Sequence, residues 1–556
     1  MDLRKGIFLW ATDTDYGILR IMLSKKNLLT LLPLLLIVLL ASVLRLWHLG
    51  QVPISMSDDE IRISYTAYSL AHTGKDVFGN FLPAVFRLDG ASASAQLPFY
   101  LSALFFLVLP LTAFAARLPF ALASIGSVIL LYAVVKKLFN NHLIALFSAF
   151  VLSVSVWSLQ LSRFVIEINI AVFFYILAIA LFIYFPRKTK FFLLSMLFFF
   201  LASYAYAGTK IVVIPILFVL VWYKFKELGK KHLLLILLTL VLALGSFAYL
   251  SVTQGAAKYM SAGGVPFFFL DKQQTAISVE LQRRASNEPQ LIKTLYHNKF
   301  SYWTKTFAAN YLTAFSPQYL FLDQEASGIY SIWGRGEQYL FELPLLLVGL
   351  FYLFWKKRKE AFLILGLLLI APLPSALGAG SATWTARSGL MPLWLSVFVG
   401  AGIYFLVTFF KKRPYQYLVL AIIALIYVYS VGGYISQYYY DWSQTNAKYF
   451  SKSTQDLVHL VNKYQKQGKD VIVSGATQNT FLHYAFYNRL DPRLVQVNIS
   501  KTPIKFANFT FQYGCLPEIP QQLTYIALVD CKYKQKPTSQ IKAYDSSETV
   551  WNIYEK

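Results

Sequence analysis

Eleven apolar runs dominate this chain of 556 residues, lying near 28–48, 118–135, 142–161, 166–185, 191–206, 209–223, 233–252, 339–355, 361–378, 388–410 and 416–435. A helix needs about 17–25 apolar residues to cross a bilayer, where the lipid offers the backbone no hydrogen-bond partner. Such a chain folds as an all-α polytopic membrane protein. Composition agrees: 57% of its residues are A, V, I, L, M, F, W, Y or C, against about 45–50% apolar in soluble domains.

Topology turns on a twelfth segment, 97–114, which holds Pro98 and Pro110 and barely reaches spanning length. Lysine and arginine collect in short cytoplasmic loops. If 97–114 lies along the outer interface as an amphipathic helix, every basic cluster falls inside: Lys25-Lys26, Lys136-Lys137, Arg187-Lys188-Lys190, Lys224 to Lys231, Lys356 to Lys359 and Lys411-Lys412-Arg413. If it crosses, the clusters divide between the two sides. The net charge of +24 is then explained by inner loops, and nucleic-acid binding is not implied. The first run, with no small-x-small site at its end, reads as an uncleaved span. The expected organisation is a cytoplasmic N-terminus (1–27), a transmembrane region (28–435) with long outer loops at 49–117 and 253–338, and an extracytoplasmic tail (436–556).

In that tail the charge density rises. STQDLVHLVNKYQKQG reads as a helix closed by Gly468, and DVIVSG (470–475) as a short buried strand, so a small soluble α/β domain is expected. Both cysteines, Cys515 and Cys531, fall here, where an oxidising compartment would allow a disulfide.

With eleven crossings, scattered ionisable residues gather on the outer side: Asp58, Asp59 and Glu60; Arg163 and Glu167; Tyr204, Tyr206 and Lys210; Arg335 and Glu337; and Arg387. Charged groups at a membrane are costly and are usually paired or functional. Each has a plainer reading. Ser57-x-x-Glu60 is a capping-box pattern, and acids suit a helix start. Arg163 and Glu167 are spaced to staple one helix. Tyrosine and lysine are common interface anchors. What favours function is convergence of charge types: an acid near an acceptor hydroxyl can act as a general base, and cations can hold a departing phosphate. Carboxylates with phosphate oxygens could also hold a divalent metal, although no dedicated ligand spacing is present. The chain has no zinc pattern, P-loop, G-x-S-x-G or dinucleotide fingerprint.

The segments DDEIRISYTAYSLAHTGKDVFGNFLP, LPFYLSALFF, AARLPFALASIGSV, LSRFVIEINI, SYAYAGTKIVVIP, NYLTAFSPQYLFL, GRGEQYLFELPLLLVGLF and PLPSALGAGSATWTARSGLMP resemble, in order, the bacterial and archaeal relatives of protein O-mannosyltransferases and lipid A aminoarabinose transferases. The resemblance covers roughly 28–435 and implies the C-type glycosyltransferase fold, about eleven transmembrane helices plus interfacial helices. It also implies a polyprenyl-phosphate sugar donor and transfer with inversion. By motif, Asp59 takes the place of the first-loop catalytic aspartate with Glu60 beside it, while Asp58 stands where relatives often carry a non-acidic residue. Glu167 matches the second-loop acid, which would orient a metal or the acceptor. Arg163, Lys210 and Arg387 match cations near the lipid phosphate, with Tyr204 and Tyr206 lining the donor site. No cofactor follows from the resemblance, because metal use varies among the relatives.

The expected function is transfer of one sugar from a polyprenyl-phosphate carrier to an acceptor hydroxyl, on a glycolipid, protein or polysaccharide, at the outer face of the cytoplasmic membrane. A transporter or flippase of a lipid-linked sugar would use the same cations without a base, but predicts charged or broken helices near the midplane and often internal symmetry. A membrane scaffold is a third reading.

Overall fold

The computed structural model describes residues 25–86, 95–185, 189–253, 272–323, 325, 328–378, 385–506, 508–520, 523–544 and 548–555. Arg187, Lys188, the start of the 253–338 loop and part of the motif before Arg387 lie outside these residues.

Helices occupy all eleven apolar runs. Among the described residues, five helices are long and apolar enough to cross a membrane: Ala113–Phe139, Ala207–Glu227, Arg358–Leu377, Met391–Phe409 and Arg413–Thr445. His142–Val154 and Val156–Ser162 together are as long and apolar, but the pair is bent by 54°, the form of a broken span or a re-entrant loop. Local chemistry sets several boundaries. Asn140, at φ 50°, ends Ala113–Phe139 in the left-handed region, and the next residue caps the following helix, its Oδ1 accepting from the amides of Leu143 (2.9 Å) and Ile144 (3.1 Å). Two asparagines thus turn the chain back on itself. The segment with the ambiguous length forms only the ten-residue helix Leu97–Phe106, about 15 Å long at 1.5 Å per residue. That is about half the hydrocarbon thickness. Its Pro98, Phe99, Ser102, Ala103 and Phe106 are buried, and it packs on the neighbouring helix Asp58–Thr73.

Close helix packing rests on small residues, as lipid-embedded contacts generally do. A Cβ on Gly349 would lie 1.8 Å from the Phe398 carbonyl oxygen, and one on Gly402 would lie 2.0 Å from that of Leu345. The helices Glu342–Lys356 and Met391–Phe409 therefore touch backbone to backbone.

Three buried arginines tie the first helix and the segment after it to the neighbouring helices. Arg45 donates to Ser124, Ser158 and the carbonyls of Ala41, Leu152 and Ser153. Arg117 donates to Glu60 and the carbonyls of Leu49, Pro53 and Ser55. Arg163 donates to the carbonyls of Leu44, Arg45, Trp47 and Val52 and to the Tyr438 hydroxyl. Buried backbone carbonyls outside regular helices need such donors, since apolar surroundings supply none.

The tail forms a six-stranded mixed sheet, β1 (Val471–Ala476), β2 (Ile504–Phe506), β3 (Phe509–Tyr513), β4 (Thr524–Leu528), β5 (Ser539–Lys542) and β6 (Thr549–Tyr554), in the order β2-β3-β1-β4-β6-β5. Strand β1 runs parallel to β3 and β4, and the other pairs are antiparallel. Helix Lys452–Lys466 buries Leu457, Val458, Val461 and Tyr464, and Gly468 follows it at φ 72°. Cys515 and Cys531 are joined by a disulfide.

Candidate active site

Successive residues of a helix point about 100° apart, so the triplet at the start of Asp58–Thr73 sends its three acids in three directions. Ser57 fixes the start: its Oγ accepts from the Glu60 amide (3.2 Å), and Glu60 Oε2 accepts from the Ser57 amide (3.0 Å). Asp58 turns toward the tail, where it accepts from Ser451 Oγ (2.7 Å), Asn479 Nδ2 (3.1 Å) and His483 Nε2 (2.9 Å). Burial alone would raise its carboxyl, but the hydrogen bonds and charge of His483, with Ser451 and Arg62, outweigh that and hold it down at about 2. Asp59 points outward with 68% of its side chain exposed, paired with Arg62. The Thr-Gly-x-Asp motif ends the helix. Gly74 adopts φ 67°, and Asp76 Oδ1 accepts from the amides of Phe78 and Asn80, both at 2.9 Å.

Glu60 turns inward, and here the expectation of a catalytic pair is corrected. Its Oε1 accepts from Arg117 Nε (2.9 Å) and the Val165 amide (3.1 Å), and its Oε2 from Arg117 Nη2 (3.2 Å) and Ser57. At 1% exposure it has neither spare oxygen capacity nor access for a substrate. Arg163 is corrected likewise. An arginine has five N–H donors, and all five go to Tyr438 and four backbone carbonyls, so none is left for a donor phosphate.

Of the remaining expected residues, Asp59, Glu167, Tyr206 and Arg387 act on one another electrostatically. Glu167 caps the helix Ile168–Tyr184 without a side-chain hydrogen bond to it. Burial pushes its carboxyl up to about 7, with the nearby Asp59 charge adding and Arg62 opposing. Burial likewise pushes the Tyr206 phenol up to about 12; Arg387, which hydrogen-bonds it, pulls it down, and Glu167 pushes it up. Burial lowers the Arg387 guanidinium, while Tyr206 and Glu325 act in the opposite sense. Asp59, Arg62, Glu167, Tyr206 and Arg387 therefore share one electrostatic environment. Lys210 sits on the turn after Tyr206, its Nζ 5.5 Å from the centre of the Tyr204 ring. The Tyr204 carbonyl accepts from the Leu97 amide (3.0 Å), tying this turn to the short outer helix.

Two groups at the centre escaped the sequence reading. Burial drives the Tyr330 phenol well above its ordinary value, and Asp59, Glu325, Glu167 and Tyr206 all push the same way. Glu325, 1% exposed, accepts from the amides of Tyr330 and Thr385, both at 2.9 Å. Thr385 in turn donates to Glu337 (2.6 Å), and its carbonyl accepts from Trp157 Nε1 (3.0 Å). Glu325 thus links the loop before the Glu342–Lys356 helix to the segment carrying Arg387. The signal was DQEASGIY, polar residues between two apolar stretches, but no local pattern says which of them turn inward. Among the described residues, no group of three or more His, Cys, Asp or Glu side chains is arranged to hold a metal ion.

Residues 94–249 match the family described as dolichyl-phosphate-mannose-protein mannosyltransferase. The fold is similar to that of ArnT from Cupriavidus metallidurans in the apo state, with a TM-score of 0.52 at 10% identity over 94% of this chain and 97% of that one. The same enzyme bound to undecaprenyl phosphate gives a TM-score of 0.48 at 11% identity over the same shares. The Archaeoglobus fulgidus oligosaccharyltransferase in the apo form gives 0.44 at 13% identity, over 83% of this chain; the chain spans 64% of that protein's length. No curated protein sequence matches the chain. At 10% identity the likeness to ArnT is one of fold alone, and the apolar helices mark an integral membrane protein.

Proposed function

We propose that this protein is a C-type glycosyltransferase that moves a single sugar from a polyprenyl monophosphate carrier to an acceptor hydroxyl on the outer side of the cytoplasmic membrane. The observation that carries the reading is the shared environment of an exposed carboxylate, Asp59, with a buried carboxyl, Glu167, and a buried cation, Arg387, all acting on Tyr206 or Tyr330. The mannosyltransferase match over 94–249 supports the donor class.

In this mechanism Asp59 takes the proton of the acceptor hydroxyl as its oxygen attacks the anomeric carbon. The new C–O bond forms on the face opposite the carrier, the bond to the phosphate oxygen breaks, and the configuration inverts. Polyprenyl phosphate leaves with the electron pair, and Arg387 and Lys210 stabilise its developing charge. Arg62 orients Asp59. Glu167 orients the acceptor or a cation, and Tyr204 and Tyr206 line the donor site. Placing this chemistry at a membrane face lets the polyprenyl tail stay in the bilayer between helices.

The test incubates purified full-length protein with radiolabelled polyprenyl-phosphate hexoses and candidate glycolipid, protein and polysaccharide acceptors. Labelled acceptor with stoichiometric release of carrier phosphate is the expected result. Movement of intact donor across the membrane without its cleavage would replace this reading with a flippase.

A further inference from the structure

We infer that His483, acting through Asp58, is a positioning residue by which the C-terminal α/β region aims Asp59 at the acceptor. This rests on the reading of Asp59 as the base. His483 lies on the helix Gln478–Tyr487, fully buried, 425 positions from Asp58. Its Nδ1 has no hydrogen-bond partner among the described residues, so the ring's polar contact is directed at Asp58. Ser451, Asn479 and His483, whose side chains donate to the Asp58 carboxylate, come from beyond the helix Arg413–Thr445.

The rest of the same helix face is held from the same side. The Tyr65 hydroxyl donates to the Leu490 carbonyl (2.9 Å), and Gln496 Nε2 donates to Ser69 Oγ (2.9 Å) and Thr73 Oγ1 (2.8 Å). Residues 58, 65, 69 and 73 fall in a stripe about 80° wide at 3.6 residues per turn. Just before the helix, Ser55 Oγ pairs with the Tyr487 hydroxyl (2.9 Å). On the other side, Glu60 is locked to Arg117 of the membrane region. Asp59 lies between two fixed neighbours, one tied to the tail and one to the membrane region. Its direction is set only while both hold. Misplacement of a reacting group by about 1 Å can cost on the order of 100-fold in rate, so loosening the Asp58 side is felt at Asp59.

The experiment uses the full chain in lipid nanodiscs, as wild type, His483→Ala, His483→Gln and Asp58→Asn. Glutamine keeps a donor near the imidazole Nε2 position. Hydrogen exchange of the amides at 58–64 reads the joint with no substrate present, and donor KM and kcat read its effect on transfer. The expected result is that His483→Ala speeds exchange at 58–64 by about tenfold or more while the membrane helices stay protected. Its kcat should fall by about 100-fold with donor KM unchanged, and His483→Gln should recover most of both. Should the alanine variant fail to fold, Asp58→Asn, which keeps the shape of the side chain, must show the faster exchange. Wild-type exchange and kcat in a folded His483→Ala, or wild-type exchange in Asp58→Asn, would overturn the joint. A wild-type protein inactive on every polyprenyl-phosphate sugar would overturn the enzyme reading alone, because the exchange measurement still decides the joint.

Discussion

Arg117 Nε lies 2.9 Å from Glu60 Oε1, with 0% of the arginine side chain and 2% of the glutamate side chain exposed. This pair fastens the acidic helix to the membrane region. Removing one partner strands a buried charge, which costs about 3–5 kcal/mol. Glu60→Ala and Arg117→Ala are therefore expected to lower stability by that order, checked by denaturation of the purified protein. A loss under about 1 kcal/mol would mean that water reaches the pair.

Asp59 is exposed and its pair with Arg62 lies at the surface, where such a pair is worth about 0–1 kcal/mol. Asp59→Asn should leave the melting temperature unchanged and reduce transfer by about 10²–10⁴-fold, the usual contribution of a general base. A folded asparagine variant of wild-type activity removes Asp59 from that role.

Arg163 and Arg387 are expected to fail differently. Lysine offers three donors where Arg163 uses five, so Arg163→Lys leaves buried acceptors unmet at about 1–3 kcal/mol each. It should lower the melting temperature with kcat per folded molecule retained. Arg387→Lys should lower kcat by about tenfold or more, read in the same assay. Equal catalytic losses in both would return Arg163 to the donor site.

Glu167 sets a pH dependence. Burial raises its folded-state carboxyl to about 7, whereas an unfolded glutamate titrates near 4.3. The stabilising contribution of the protonated form is complete below about pH 4.3 and is lost as the pH rises through about 7. Glu167→Gln, which does not ionise, should flatten this part of the stability profile, measured by denaturation midpoints across that range. Parallel profiles for the two proteins would show that Glu167 is hydrated.

The Cys515–Cys531 bridge closes a segment with a sequence separation of 16, for which loop closure accounts for about 3 kcal/mol. Cys531→Ser should destabilise the sheet by that order in non-reducing buffer, and adding reductant should bring wild type to the same value.

The helices were legible because lipid permits few alternatives. An apolar run of spanning length must satisfy its own backbone, and helices fall on every run read that way. The shortness of Leu97–Phe106 was legible through the prolines of its segment. The helix and strand around Gly468 followed from periodicity and a glycine stop. For the candidate site, the sequence offered Asp59, Glu167, Tyr206 and Arg387 only through family resemblance. Tyr330 and Glu325 were not, since nothing near them in sequence distinguishes a buried polar group from a solvated one.

Hydropathy, basic clusters and turn residues by themselves determined a helical membrane protein with a small α/β tail, because each depends on neighbours within a few residues. Only the tertiary structure decided the fates of Asp58, Asp59 and Glu60. Three adjacent carboxylates of nearly the same chemistry were separated by 100° steps of one helix, and then by what waited in each direction: His483, open solvent beside Arg62, and Arg117. The role of an acid depends on the donors that meet it, and in this protein those donors come from up to 425 positions away.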